Sequence, residues 1–195
     1  MSDRHNFRFM EVTVAVNESD VIAGIMMPVQ CHSGVLKEVM DSMSDCSACD
    51  GLITRNPELT LGVHTRDCAP ICFSDGEKIS VAHVGWSGLC KGMIEAVMEN
   101  FDSSVTEVYV GPHLHVFEIQ KDFCYDAITA KFGDTFLLSR QDGMLIFHFK
   151  DAIASLLPQY VVFDSRNTMT DTLLPSHRHK RALGHIITTV NSKTV

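Results

Sequence analysis

GVHTRDCAPICFSDGEKISVAHVGWSG, residues 62–88, frames both the fold and the function. Pro70 to Ser74 and Lys78 to Val84 are rich in apolar and β-branched residues, and Ser74-Asp75-Gly76-Glu77 between them carries turn chemistry. The two runs therefore read as the arms of a hairpin, with Gly62 to Val63 as a further short strand on the same hairpin-rich sheet. The stretch also holds His64, Cys68, Cys72, His83 and the only tryptophan, Trp86. That is a dense set of metal-seeking side chains for a stretch that reads as buried strand.

Outward from this hairpin the pattern is mixed. Phe7 to Val16 reads as an opening strand and residues 21–29 as a second apolar run. After Trp86, Leu89, Met93, Ala96, Val97 and Phe101 recur at helical spacing, which predicts one helix starting at Ser87 or Gly88. Residues 105–111 return to strand, Lys121 to Phe132 and Lys150 to Leu157 predict two more helices, and 160–165 and 185–190 predict late strands. No repeat, low-complexity tract or linker divides the chain. The expectation is one compact domain over residues 1–195, α/β (α+β) in class, with a mixed, partly antiparallel sheet flanked by helices.

Composition narrows the function. A chain of 195 residues with 45% hydrophobic and 21% charged content is an ordinary folded domain. At this length roughly 70% of the unfolded surface can be buried, so the core needs no stapling metal and any metal is a functional one. A net charge of -8 argues against nucleic-acid binding. The first residues lack the apolar core of a secretory signal and no run approaches the ~20 residues of a membrane span, so a cytoplasmic protein without membrane contact is expected. Seven cysteines, an odd number, then read as reduced thiols, with Cys72, Cys90 and Cys124 in the core.

Imidazole and thiolate are the ligands that zinc and copper prefer, and a catalytic zinc site keeps one position open beside three protein ligands. Cys68 ends HTRDC before one hairpin arm and His83 lies in VAHVGW on the other, fourteen residues on, where adjacent strands can meet at one end. His32, in VQCHSGV, is a candidate third ligand, with Gly34 permitting an unusual backbone turn. The competing motif is Cys46-Ser-Ala-Cys49, which lacks the second ligand pair of a zinc knuckle and lies in the polar loop 41–50 rather than at a helix start. His64 and His113 are candidates to line a pocket. The HRHKR run at 177–181 reads as a solvated charge cluster and as a candidate anion site.

Taken together, residues 50–92, VQCHSGV, VGPHL at 110–114 and SHRHKRALGHI at 176–186 resemble the laccase-domain family, also called the YfiH-type or multicopper polyphenol oxidoreductase family. Its hallmark is T-A-D-C-x-P followed by H-A-G-W-R-G, and the resemblance covers about 160 residues from Met27 onward. It implies a single mixed α/β domain with one metal, usually zinc, whose ligands carry over to His32, Cys68 and His83. It also implies purine nucleoside chemistry: phosphorolysis of adenosine, inosine and methylthioadenosine, and hydrolytic deamination of adenosine. Purine nucleoside and phosphate would then be the small-molecule partners.

On that resemblance Asp67 is a candidate for orienting a ligand or for proton transfer, Arg66 and Arg178 for receiving phosphate, and Trp86 and Ser87 for lining the substrate site. The alternatives are copper-dependent oxidation of phenols and a metal-binding scaffold that has lost catalysis. Three departures from the family pattern stand out: Ser87 where an arginine follows the tryptophan, Arg66 where a small residue is usual, and no T-x-R-x-G-G-x-S element in residues 1–30. Arg66 is expected to restore the positive charge lost at Ser87.

Overall fold

Residues 69–84 form the hairpin that the turn at 74–77 predicts, and the rest of the chain is built on its two faces. The protein is described by a computed structural model over residues 2–19, 22–102, 104, 106–181 and 184–193. Val21 and Val105, which open two of the predicted runs, and Ala182 and Leu183 of the C-terminal match lie outside the described residues.

In chain order the strands are β1 (Ser2–Asn6), β2 (Met10–Asn17), β3 (Ile25–Met26), β4 (Leu36–Glu38), β5 (Gly51–Thr54), β6 (Thr60–Thr65), β7 (Ala69–Ser74) and β8 (Ile79–Val84). Then follow β9 (Glu107–Val110), β10 (Phe117–Ile119), β11 (Leu137–Ser139), β12 (Leu145–Phe147), β13 (Val161–Phe163) and β14 (His185–Ser192). The helices are α1 (Trp86–Cys90), α2 (Met93–Met98), α3 (Phe123–Phe132) and α4 (Phe149–Ala154). None of them is long and apolar enough to cross a membrane.

The strands make three sheets: a six-stranded one ordered β13-β9-β7-β8-β5-β4, a five-stranded one ordered β1-β2-β14-β6-β3, and a small one ordered β10-β12-β11. Every residue of β7 and β8 is buried. A strand covered on both faces has no polar side to show, hence the near-continuous apolar runs of the opening stretch. Ile71, Phe73, Ala82 and Val84 face a core shared with helix residues such as Leu89, Ile94 and Ile153. Cys72, Ile79 and Val81 face the other core, shared with Met10, Val12, Leu61 and Val190 of the five-stranded sheet. The class is mixed α+β, as expected, with helices on one face of the central sheet and a second sheet on the other.

The structure corrects the sequence reading in four places. The opening strand expected over Phe7 to Val16 starts at Met10, as β2, and β1 precedes it. β6 does not continue the hairpin; it pairs with β14 and β3 in the five-stranded sheet. The single helix expected after Trp86 is two short ones, because Gly92 takes a left-handed conformation (φ 88°) that ends α1 and opens α2. Among the described residues of the run 21–29, strand pairing is confined to Ile25–Met26, parallel to β6. Of the core cysteines, Cys72 and Cys124 are buried and Cys90 is half-buried.

A polar cluster ties the β1–β2 hairpin to the central sheet. The buried Tyr109 hydroxyl donates to Asp164 Oδ2 (2.7 Å) and lies 3.1 Å from His5 Nε2. Arg166 donates to both oxygens of Asp164 (2.9 and 2.7 Å) and to Asp3 (2.5 Å). Burial raises the Asp164 pKa, but the hydrogen bonds from Arg166 and Tyr109 outweigh it and hold it at about 2. A carboxyl whose folded pKa is depressed stabilises the fold above its ordinary pKa of 3.8, and that contribution, about 2 kcal/mol, is lost as the pH falls towards 2. We therefore expect Asp164→Asn to flatten the acid limb of the stability profile. Urea midpoints between pH 5 and pH 2.5 test this, and parallel profiles for the two proteins would refute it.

Candidate metal centre and its cavity

The chain crosses from β6 in one sheet to β7 in the other in three residues, Arg66, Asp67 and Cys68. So tight a corner leaves these side chains together at one end of the two-sheet stack. His83, next to last in β8, is the register partner of Pro70 and so stands beside the corner. The loop between β3 and β4 brings His32 to the same place. The ligand atoms of His32, Cys68 and His83 all lie within 4.8 Å of one another, with Cys68 Sγ 4.0 Å from His32 Nε2.

This donor set fits a zinc-like ion. Zinc bonds of ~2.0–2.3 Å in tetrahedral geometry put nitrogen and sulfur donors about 3.5 Å apart, so the observed spacing closes with a small side-chain adjustment. The neighbouring backbone is shaped to the tripod. A Cβ on Gly85 would stand 2.9 Å from Cys68 Sγ and 3.2 Å from His32 Cδ2, so only glycine fits there. His32 itself is left-handed (φ 56°), a strained conformation for a residue with a side chain.

Asp50, which the sequence reading did not single out, holds the tripod. It is fully buried, and its Oδ1 lies 2.9 Å from His83 Nδ1 and accepts the His32 N–H at 2.9 Å. Its Oδ2 accepts the Ser33 N–H (2.5 Å) and hydroxyl (2.7 Å). Because a carboxylate can only accept, His83 carries its proton on Nδ1 and turns Nε2 to the cluster, the usual carboxylate–histidine–metal arrangement. Burial raises the Asp50 pKa, yet the His83, Ser33 and His32 hydrogen bonds outweigh it and hold the carboxyl well below the ordinary range. Burial likewise lowers His83, but Asp50 and Cys68 bring it up to about 9. Burial raises Cys68, but His32 and His83 bring it down to about 7, which favours the thiolate.

The tripod opens into a cavity of about 480 Å³, in the range of small-molecule sites. Arg66, Asp67, Trp86 and Arg178 line it, as do His64 and His185, whose rings meet edge-on at 5.1 Å. Arg66 Nε donates to the Gly184 carbonyl. The Asp67 oxygens accept from Thr168 and Ser176 hydroxyls (2.8 Å each) and from the Arg178 N–H (2.9 Å), so this carboxylate binds the 176–178 loop to the corner. The Arg178 guanidinium lies over the Phe117 ring at 4.3 Å.

Two sequence candidates lie elsewhere. Ser87 does not line the cavity; its hydroxyl donates to the His32 carbonyl at 3.3 Å, because the first turn of α1 turns it towards the 32–34 loop. His113 is fully buried and donates from Nδ1 to the Gly111 carbonyl (2.8 Å), away from the cavity lining. Cys46 and Cys49 are free thiols in an irregular loop, as expected. The HRHKR run is split: His177 and Arg178 reach the cavity, His179 and Lys180 are exposed, and Arg181 turns to the Leu174 and Thr168 carbonyls.

The pattern that defines the "Multi-copper polyphenol oxidoreductase laccase" family matches residues 4–193. A purine nucleoside phosphorylase of Aquifex aeolicus is 28% identical over 177 residues, 85% of this chain and 82% of that protein. Adenosine deaminase RL5, from an unknown prokaryotic organism, is 29% identical over 99 residues, 45% of this chain and 38% of that protein. Among solved structures, a Neisseria meningitidis protein superposes with a TM-score of 0.81 at 14% identity, covering 98% of this chain and 99% of that one.

If Asp50 is the constraint on this end of the molecule, Asp50→Ala leaves the buried His83 ring N–H and the half-buried donors of His32 and Ser33 without an acceptor. We expect a loss of about 3 kcal/mol in the metal-free protein, and a smaller one for Asp50→Asn, whose amide oxygen still accepts. Urea denaturation measures both; a wild-type midpoint for Asp50→Ala would remove the carboxylate from this role.

Proposed function

The chain belongs to the multi-copper polyphenol oxidoreductase laccase family, and from that membership we propose a zinc-dependent purine nucleoside phosphorylase that also deaminates adenosine. Adenosine, inosine and methylthioadenosine are the substrate class, with phosphate as co-substrate and the cytoplasm as the site of action. The observation that carries this reading is one His-Cys-His tripod in the lining of a cavity that two arginines also line. Similarity to the phosphorylase and to the deaminase supports it.

In this reading His32, Cys68 and His83 hold the ion, which when bound acts as a Lewis acid and lowers the pKa of a water molecule. The chain supplies everything else. Arg66 and Arg178 receive phosphate, whose charge and oxygens match a guanidinium. Asp67, with its oxygens engaged by three donors, orients the Arg178 loop rather than shuttling a proton. The face of Trp86 offers a stacking surface for a purine. Asp50 keeps the His83 proton on Nδ1.

Oxidation of phenols with reduction of oxygen to water takes four electrons and several coppers with paired histidine motifs. Among the described residues one cluster of three or more metal-ligating side chains is found, which favours the purine reading. A scaffold without catalysis would keep the metal and lose turnover.

The test is adenosine turnover by the metal-quantified protein with and without phosphate, with adenine, inosine and hypoxanthine separated by chromatography. Adenine is expected only with phosphate and inosine with or without it, and Cys68→Ala is expected to abolish both. Arg66→Ala is expected to lower phosphorolysis by about 10²-fold while leaving zinc content unchanged, since it removes a phosphate contact and no ligand. A zinc-loaded wild type that yields no product would favour the scaffold, and Arg66→Ala with unchanged phosphate dependence would remove Arg66 from the phosphate site.

A further inference from the structure

The metal reading explains why His32 is where it is, but not what keeps it there. Its left-handed backbone (φ 56°) lies in an irregular loop two residues before the left-handed Gly34 (φ 76°), and Asp50 fixes only its N–H. The carbonyl side is held from α1. Lys91 Nζ donates to the His32 carbonyl at 2.6 Å, and the Ser87 hydroxyl, one helical turn earlier, donates to the same oxygen at 3.3 Å. Residues four apart share a helix face, so the two donors converge on one acceptor.

The Lys91 stem is fixed as well as its head. Lys91 is the C-cap of α1, and the left-handed Gly92 (φ 88°) turns the chain immediately after it. A Cβ on Gly34 (φ 76°) would stand 3.0 Å from Lys91 Cβ and 3.6 Å from the Lys91 carbonyl, so the loop rests directly on this residue. Lys91 is exposed and lies outside the cavity lining, which separates it from the phosphate-receiving arginines. Its ammonium therefore does not replace the cavity charge missing at Ser87.

We propose that Lys91, assisted by Ser87, is a positioning residue for the metal centre: it anchors the His32 carbonyl opposite Asp50, and so fixes the left-handed backbone that aims the His32 imidazole at Cys68 and His83. This inference rests on the metal reading above, and it assigns a role to the position where the family's arginine is absent. The Lys91 contact orders a ligand loop that has no strand pairing between Val29 and Val35. Partners of this kind that orient metal ligands typically contribute 10- to 100-fold to metal affinity.

The experiment is a zinc titration against a chromophoric chelator, run on the full chain without nucleoside, for wild type, Lys91→Met, Lys91→Arg and Ser87→Ala. Lys91→Met is expected to weaken zinc binding about 10-fold, Ser87→Ala by less, and Lys91→Arg to restore most of the affinity. The thermal midpoint of the metal-free protein is expected to be the same in all four, which separates positioning from a general structural effect. Wild-type affinity in Lys91→Met, or a loss that Lys91→Arg does not recover, would overturn the inference and leave the metal reading intact. Failure of the wild type to bind zinc would overturn the metal reading and this inference with it.

Discussion

A single buried carboxylate organises this end of the molecule. Asp50 precedes β5, and its backbone is tied to both neighbours: its N–H donates to the Val35 carbonyl and its carbonyl accepts the His83 N–H at 2.7 Å. Its side chain then reaches His83 again, through the ring, and His32 and Ser33 through their N–H groups. One residue thus joins the central sheet to an imidazole on the sheet and an imidazole on a loop. A buried charge costs several kcal/mol to desolvate unless its hydrogen-bonding capacity is filled, and here His83, His32, both donors of Ser33 and the Cys31 thiol fill it. The same low dielectric that makes the vacancy costly makes the filled arrangement stiff.

The location of the site follows from the packing of the central sheet. With β7 and β8 covered on both faces, neither strand has a free face on which to build a cavity. Polar chemistry is left to the strand ends, where the chain must leave one layer for another: the 66–68 corner, the end of β8 and the Gly85 step into α1. The close approach at Gly85 costs the chain a side chain, and His32 adds backbone strain. Such strain persists where the surroundings over-determine it, and here Asp50 and both ends of α1, through Ser87 and Lys91, hold the His32–Ser33 peptide from two sides.

Much of this was legible in the sequence, because a hairpin with a turn between apolar arms is a local signal. The β7–β8 pairing, the meeting of Cys68 with His83 and the burial of Cys72 all followed from it. The layer switch at β6 was not legible: a strand's sheet is decided by what covers its faces, and Gly62 and Val63 look alike in either sheet. The break at Gly92 was hidden because the apolar residues keep their helical spacing across a two-residue interruption. Asp50 was visible only as the first letter of a motif, since nothing local to DGLIT says that the carboxylate turns inward to His83 and His32. The short strands β4, β5 and β10 to β12 also escaped, because three or four residues are too few to display a strand alternation.

Positive charge at the cavity comes from residues outside α1. A serine at 87 is too short to bring charge into the cavity, and its hydroxyl is taken up by the His32 loop. The guanidiniums in the cavity lining belong to Arg66 at the corner and Arg178 on the loop. These two are not independent, because Asp67 stands next to one and accepts the backbone N–H of the other while also gripping Thr168 and Ser176. An anion held between them would meet two positive charges set by one carboxylate, with Cys68 as the next residue along the chain. The geometry of charge and the placing of the thiol are thereby coupled through three consecutive residues, Arg66, Asp67 and Cys68.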